Sequence, residues 1–144
     1  MFCDDLGNIM NKTKHLEMIQ AVINRMAANS FSLKAWCITL VAAMLALAAK
    51  DSDKRLVAVA YYPVAMFWIL DGYFLFQERL FRRLYDEVRM RDETAIDFSM
   101  DTGPFKTELG LWSSVFSRTL NLFYSTMIVA IVLSIILVSN LIRA

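Results

Sequence analysis

One histidine, two cysteines, two prolines and four glycines among 144 residues leave little material for several kinds of chemistry. A zinc site draws about four His, Cys or carboxylate ligands together at short spacings. Here His15 has no second ligand one helical turn on, and Cys3 and Cys37 match no metal spacing. No metal and no disulfide framework are expected, and both cysteines read as reduced thiols. Gly-x-Ser-x-Gly, a phosphate-cradling glycine loop and a Cys-His pair are all missing, so the chain is not expected to be an enzyme and calls for no cofactor. Charge of one sign is also missing: the formal net charge is +1. Anion binding must therefore depend on where the charges lie. The first 30 residues carry Asp4, Asp5, Asn8, Asn11, Lys12 and Lys14 with no apolar h-region, and no signal peptide is expected.

What is present is apolar. At 58% hydrophobic and 20% charged, the chain exceeds the usual soluble composition and reads as one domain in a membrane. Three runs approach the roughly 20 apolar residues needed to cross the hydrocarbon core. They are Phe31 to Ala49, Leu56 to Gln77 and Leu120 to Ile142. The third holds no charge. The first has Lys34 near its start, where a long stem can snorkel. The second holds Pro63 and Asp71. Most of the 15 basic residues flank the start of run one or lie between runs two and three. By the positive-inside rule those segments are cytoplasmic, with a tight outer turn at KDSDKR and an outer C-terminus. The expected organisation is an N-terminal cytoplasmic amphipathic helix over 1–30, a transmembrane hairpin over 31–77, a cytoplasmic helical extension and loop over 78–118, and a third span over 119–144, the alternative being two spans and a buried core helix.

Leu16, Ile19, Ile23 and Met26 recur at helical spacing, with Asn29-Ser30 as a cap signal before run one. After run two, Leu80, Phe81, Leu84 and Val88 continue an apolar stripe past the membrane, and no breaker stands between Gln77 and Arg91. One helix from about 56 to 95 is predicted, roughly 60 Å long at 1.5 Å per residue. Pairs four apart, Glu78 with Arg82, Arg82 with Asp86 and Arg83 with Glu87, would support its polar half by about 0.2–0.5 kcal/mol each. Gly103-Pro104 is the strong breaker before the chain re-enters at Leu111 and Trp112.

Asp71 begins a polar line continued by Glu78, Arg82, Tyr85 and Arg89. Two readings stand: a carboxylate paired with an arginine of its own or a neighbouring subunit, or a line facing an assembly axis or water-filled vestibule, where intramembrane charge is favoured. Ser113, Ser117, Asn121 and Ser125 form a second polar line that either joins helices or wets a pore mouth. Ala35, Thr39 and Ala43, with Ala42 and Ala46, offer small residues for close helix approach. Together with the stripe after run two, these surfaces point to a homo-oligomer. Arg79, Arg82, Arg83, Arg89 and Arg91, with Tyr85 among them, could meet phospholipid headgroups. Repeated around a ring, they could instead bind a nucleotide or oligonucleotide, with aromatic stacking on bases. No duplex-DNA reading is expected.

Leu70-Asp71, Tyr73, Glu78-Arg79, Phe81-Arg82 and Leu84-Tyr85, after an alanine-rich first span with Trp36 near its start, resemble the RipA-like octameric family of small bacterial membrane proteins over roughly residues 15–90. That resemblance implies an inner-membrane homo-oligomer, here taken as tetramer to octamer. In size and layout the chain is also similar to the Hailong-type membrane effectors of antiphage systems, whose channels answer to oligonucleotides. The expected function is thus a bacterial inner-membrane pore or depolarising effector. Its pore or intersubunit line would be Asp71, Glu78, Arg82, Ser117, Asn121 and Ser125, and its anion site Arg79, Arg82, Arg83, Tyr85 and Arg89. The alternative is a non-conducting scaffold that recruits a cytoplasmic partner.

Overall fold

The computed structural model describes residues 2–51 and 58–141. Two long helices come first, α1 over Phe2–Asp51 and α2 over Tyr61–Met90. Single 3-10 turns follow at Glu93–Ala95 and Gly103–Phe105, then a short α3 over Leu111–Val115 and a final α4 over Arg118–Leu141. The described residues hold no strand, so the fold class is all-α. Two helices are long and apolar enough to cross a membrane: α1, within Ile9–Lys50, and α4, within Arg118–Leu137. The described part of the second apolar run does not reach the same standard. Residues 52–57, which hold most of the expected KDSDKR turn and the start of that run, and residues 142–144 lie outside the described residues.

The helix of α1 does not stop where a cap was expected. Between Asn8 and Asp51 the sequence has no glycine or proline, and the helix runs 50 residues without a break at Asn29-Ser30. Its buried positions, His15, Ile19, Ile23, Leu33, Cys37, Val41 and Ala48, fall mostly three or four apart and make one strip along its whole length. Ser30 lies on that strip. Its hydroxyl is bonded within the fold, so it does not compete with the helix as a cap.

Opposite this strip, α2 buries Val64, Asp71, Gly72, Leu80, Leu84 and Val88 and runs antiparallel to α1. Ile19 and Ile23 pack with Leu84 and Val88 at one end, flanked by Ile96, Met100 and Phe105 of the following segment. Cys37, Val41 and Ala48 pack with Ala60 and Val64 at the other, joined by Leu120, Tyr124 and Ile131 of α4. The hairpin therefore has a polar half and an apolar half, each with its own core. The stripe after run two, read as a contact between subunits, is instead filled from within: Leu80, Leu84 and Val88 are buried in a single chain.

The predicted helix to residue 95 ends earlier. Arg91 turns to extended backbone (φ −69°, ψ 152°) while its N–H still bonds the carbonyls of Glu87 and Val88. The Lys12 ammonium donates to the Arg91 carbonyl at 2.8 Å, fixing the exit to α1. The chain then folds back along the polar half, with His15 Nε2 3.0 Å from the Ser99 carbonyl. A carbonyl only accepts, so Nε2 carries the hydrogen of that bond. After α3, which ends at Val115 with Phe116 as its cap, α4 begins at Arg118.

Candidate functional site

Asp71 sits where α1, α2 and α4 meet and is completely buried. Three groups hold it. The Ser30 hydroxyl donates to Oδ1, the Lys34 ammonium lies 2.5 Å from Oδ2, and the Tyr124 hydroxyl donates to Oδ2 at 3.2 Å. Lys34 also donates to Ser30 Oγ at 2.8 Å, closing the cluster. An unpaired carboxylate so placed would be costly, and full hydrogen bonding with an adjacent cation is what makes it tolerable. The partner is a lysine of the same chain rather than an arginine, and Lys34 turns inward instead of snorkelling. Its side chain keeps 20% of its exposure, against none for Asp71.

Packing fixes this junction from α3. A β-carbon on Gly72 would lie 2.8 Å from Val115 Cα, so glycine is required for the approach of the two backbones. The Trp68 indole donates to the Val115 carbonyl at 2.9 Å and stacks on Tyr124, ring centroids 5.6 Å apart and planes within 8°. Arg79 reaches the same segment, with Nη1 3.1 Å from Ser114 Oγ and 3.4 Å from the Ser113 carbonyl. Arg79, expected to meet an anionic ligand, thus holds α3 against α2.

The rest of the first polar line stays on one face of α2, whereas the second is divided between two helices. Arg82 is exposed and pairs with Glu78 at 2.8 Å, as its spacing implied. The other two expected pairs are replaced by neighbours: Asp86 pairs with Arg89 at 3.5 Å, and Glu87 with Arg91. Arg83 and Arg89 are exposed and Tyr85 is half-buried. Gln20, Ile23, Arg82, Tyr85 and Asp86 line an open hollow of about 240 Å³. Ser113 bonds the Gly110 carbonyl at 2.7 Å, and Asn121 bonds the Phe116 carbonyl at 3.3 Å. Ser117 Oγ and Asn121 Oδ1 are buried without a partner, while Ser125 is exposed. The Ser113 bond lies at the start of α3 and the Asn121 bond at the break between α3 and α4, so these residues serve two different helix ends.

Beside the polar half, the Ser99 backbone N–H donates to Asp97 at 3.0 Å, and this bond, with Arg91 nearby, holds the Asp97 carboxyl below its ordinary range. The Arg91 guanidinium is raised, chiefly by its hydrogen bond to Glu87.

Sequence reading singled out Asp71 but missed Ser30, Tyr124 and Ser114. The spacing of Ser30 and Lys34, one turn apart before an apolar span, was the available signal for the first. Nothing local to Tyr124 marks it, because its distance from Asp71 along the chain is 53 residues.

No family model, curated protein or solved structure matches this chain.

Proposed function

We propose that this chain is a subunit of a homo-oligomeric, multi-pass bacterial inner-membrane assembly that works as a non-conducting scaffold. In this reading it crosses the bilayer three times, and the polar half of the α1–α2 hairpin extends into the cytoplasm to receive a partner. The observation that carries the reading is the enclosure of Asp71 by Lys34, Ser30 and Tyr124 of its own chain. The intramembrane charge then joins three helices instead of facing an ion path. Three hydroxyls elsewhere in the spans are bonded to their own helix, Thr39 to Ala35, Thr126 to Leu122 and Ser134 to Ala130. Ala35, Ala42 and Ala46 stay exposed along one line of α1, a surface on which another copy can approach closely.

The second reading is a pore or depolarising effector in antiphage defence, gated by a nucleotide or oligonucleotide. The hollow beside Arg82 and Tyr85 favours it, since copies of these residues around a ring would concentrate positive charge and stacking surface. One experiment separates the two: ion flux through purified oligomers in liposomes, with and without candidate nucleotides, alongside cytoplasmic pull-down of wild type and Arg82→Ala. The scaffold reading expects no flux and a pull-down that changes with Arg82→Ala. Nucleotide-dependent flux would replace it with the pore, and an unchanged pull-down would refute the scaffold.

A further inference from the structure

We infer that a groove along the α1–α2 face is a binding site for one anionic phospholipid, with its phosphate at Lys106 and an acyl chain running past Trp36. The inference rests on the bilayer placement proposed above and is independent of conduction.

Three hollows follow one another along the hairpin, each sharing a wall with the next. The first, about 370 Å³, is lined by Met26, Tyr73, Phe74, Gln77, Phe81, Thr102 and Lys106. The second, about 340 Å³, shares Phe74 and adds Asn29, Ser32, Leu33, Trp36 and Leu70. The third, about 320 Å³, shares Trp36 and adds Thr39, Leu40, Ala43 and Phe67. Their chemistry changes in one direction. An ammonium, an amide and two hydroxyls stand at one end, an amide and a hydroxyl in the middle, and almost only hydrocarbon and aromatic rings at the other. A glycerophospholipid has the same order, from phosphate through esters to acyl chain.

Length agrees. From Met26 to Ala43, α1 rises about 25 Å at 1.5 Å per residue. One leaflet, half of a bilayer of about 40–45 Å, is only slightly shorter. Met26 lies just before the first apolar run, so the end holding Lys106 falls at headgroup depth. Among the described residues Lys106 makes no ion pair, and Thr102 beside it is nearly buried. Arg25 sits one turn before Asn29 on the same strip of α1, placing a second cation at this end. The alanine line suited to a neighbouring copy, Ala35, Ala42 and Ala46, borders the far hollow, since Thr39 lies only about 20° from Ala46 at 100° per residue, while Met26 and Asn29 at the polar end lie about 100° or more away from it. A subunit docked there leaves the polar end of the groove open to a lipid headgroup.

Lipid retention by native mass spectrometry of the detergent-extracted full chain, offered phosphatidylglycerol or phosphatidylcholine, tests the site. Wild type is expected to retain phosphatidylglycerol preferentially. Lys106→Gln, at an exposed loop position, is expected to lower that retention about fivefold without altering phosphatidylcholine, the size expected for one basic group at an anionic lipid. Ala43→Trp, filling the far hollow from an exposed position, is expected to lower retention of both. Equal retention of the two lipids by a chain that still needs detergent for extraction would overturn the site while leaving the bilayer placement intact. An Ala43→Trp chain that loses its oligomer but retains phosphatidylglycerol as before would overturn it too, assigning the face to a second copy.

Discussion

At the scale of single residues, the Asp71 cluster is asymmetric, and the asymmetry has a measurable result. Asp71 cannot reach water, whereas Lys34 keeps partial access. Removing the lysine as Lys34→Met strands a buried carboxylate, a change that costs about 3–5 kcal/mol where it has been measured in other buried pairs. Replacing the carboxylate as Asp71→Asn leaves Lys34 able to turn outward, and the neutral amide can accept from one of the Ser30 and Tyr124 hydroxyls through its oxygen and donate to the other through its NH2. Thermal unfolding in detergent is expected to show Lys34→Met as clearly the more damaging of the two; equal losses would contradict the geometry. Charge at position 71 was conspicuous in the sequence, because an isolated carboxylate in an apolar run demands a reason. Its partner was not, because Lys34 has an ordinary explanation at a span entrance and only the register of α1 against α2 decides between them.

Among the elements, α2 and α3 come into close backbone approach at Gly72. Gly72→Ala would push a methyl into Val115, and because Val115 Cα itself lies 2.8 Å away, trimming the valine cannot relieve it. Overpacking of this kind costs about 1–3 kcal/mol. Gly72→Ala and Gly72→Ala/Val115→Ala are therefore both expected to melt well below wild type, and full recovery in the double variant would refute the backbone contact. The helical class, the continuity of α2 past Gln77 and a new helix from Leu111 after the Gly103-Pro104 breaker were legible from apolar spacing and from the placing of breakers, whereas the length of α1 was not. The end of α2 at Met90 was not, since residues 91–95 contain no glycine or proline and the helix stops where Lys12 and Arg91 meet across 79 positions of sequence. The stripe Leu80, Leu84 and Val88 was legible as a buried face. Whether its partner was α1 or another subunit depended on α1 continuing straight through Ser30, which its Asn-Ser pair argued against.

Over the whole molecule, the segment after α2 is tied to the first helix near its beginning, through Lys12 to Arg91 and His15 to Ser99. Asp97 steadies this tie by accepting the Ser99 N–H while facing Arg91 at 3.5 Å. Because the folded carboxyl is held below its ordinary value, its contribution is complete above the usual aspartate range and is lost as pH falls through that range and past the lowered value. Amide protection over residues 91–101, taken relative to the intrinsic exchange rate at each pH, is expected to fall on acidification in wild type, and Asp97→Asn should remove part of that pH dependence; an identical protection profile in the variant would contradict it. The unbroken α1 has a mechanical consequence. About 75 Å long at 1.5 Å per residue, it is a shaft with no joint between the depth of His15 and that of Val41. A torque applied to its polar end cannot be absorbed by a loop part-way along the helix. It must either turn the apolar end as well or pull Ser30 and Lys34 away from Asp71, so the carboxylate acts as the detent against which the shaft is held.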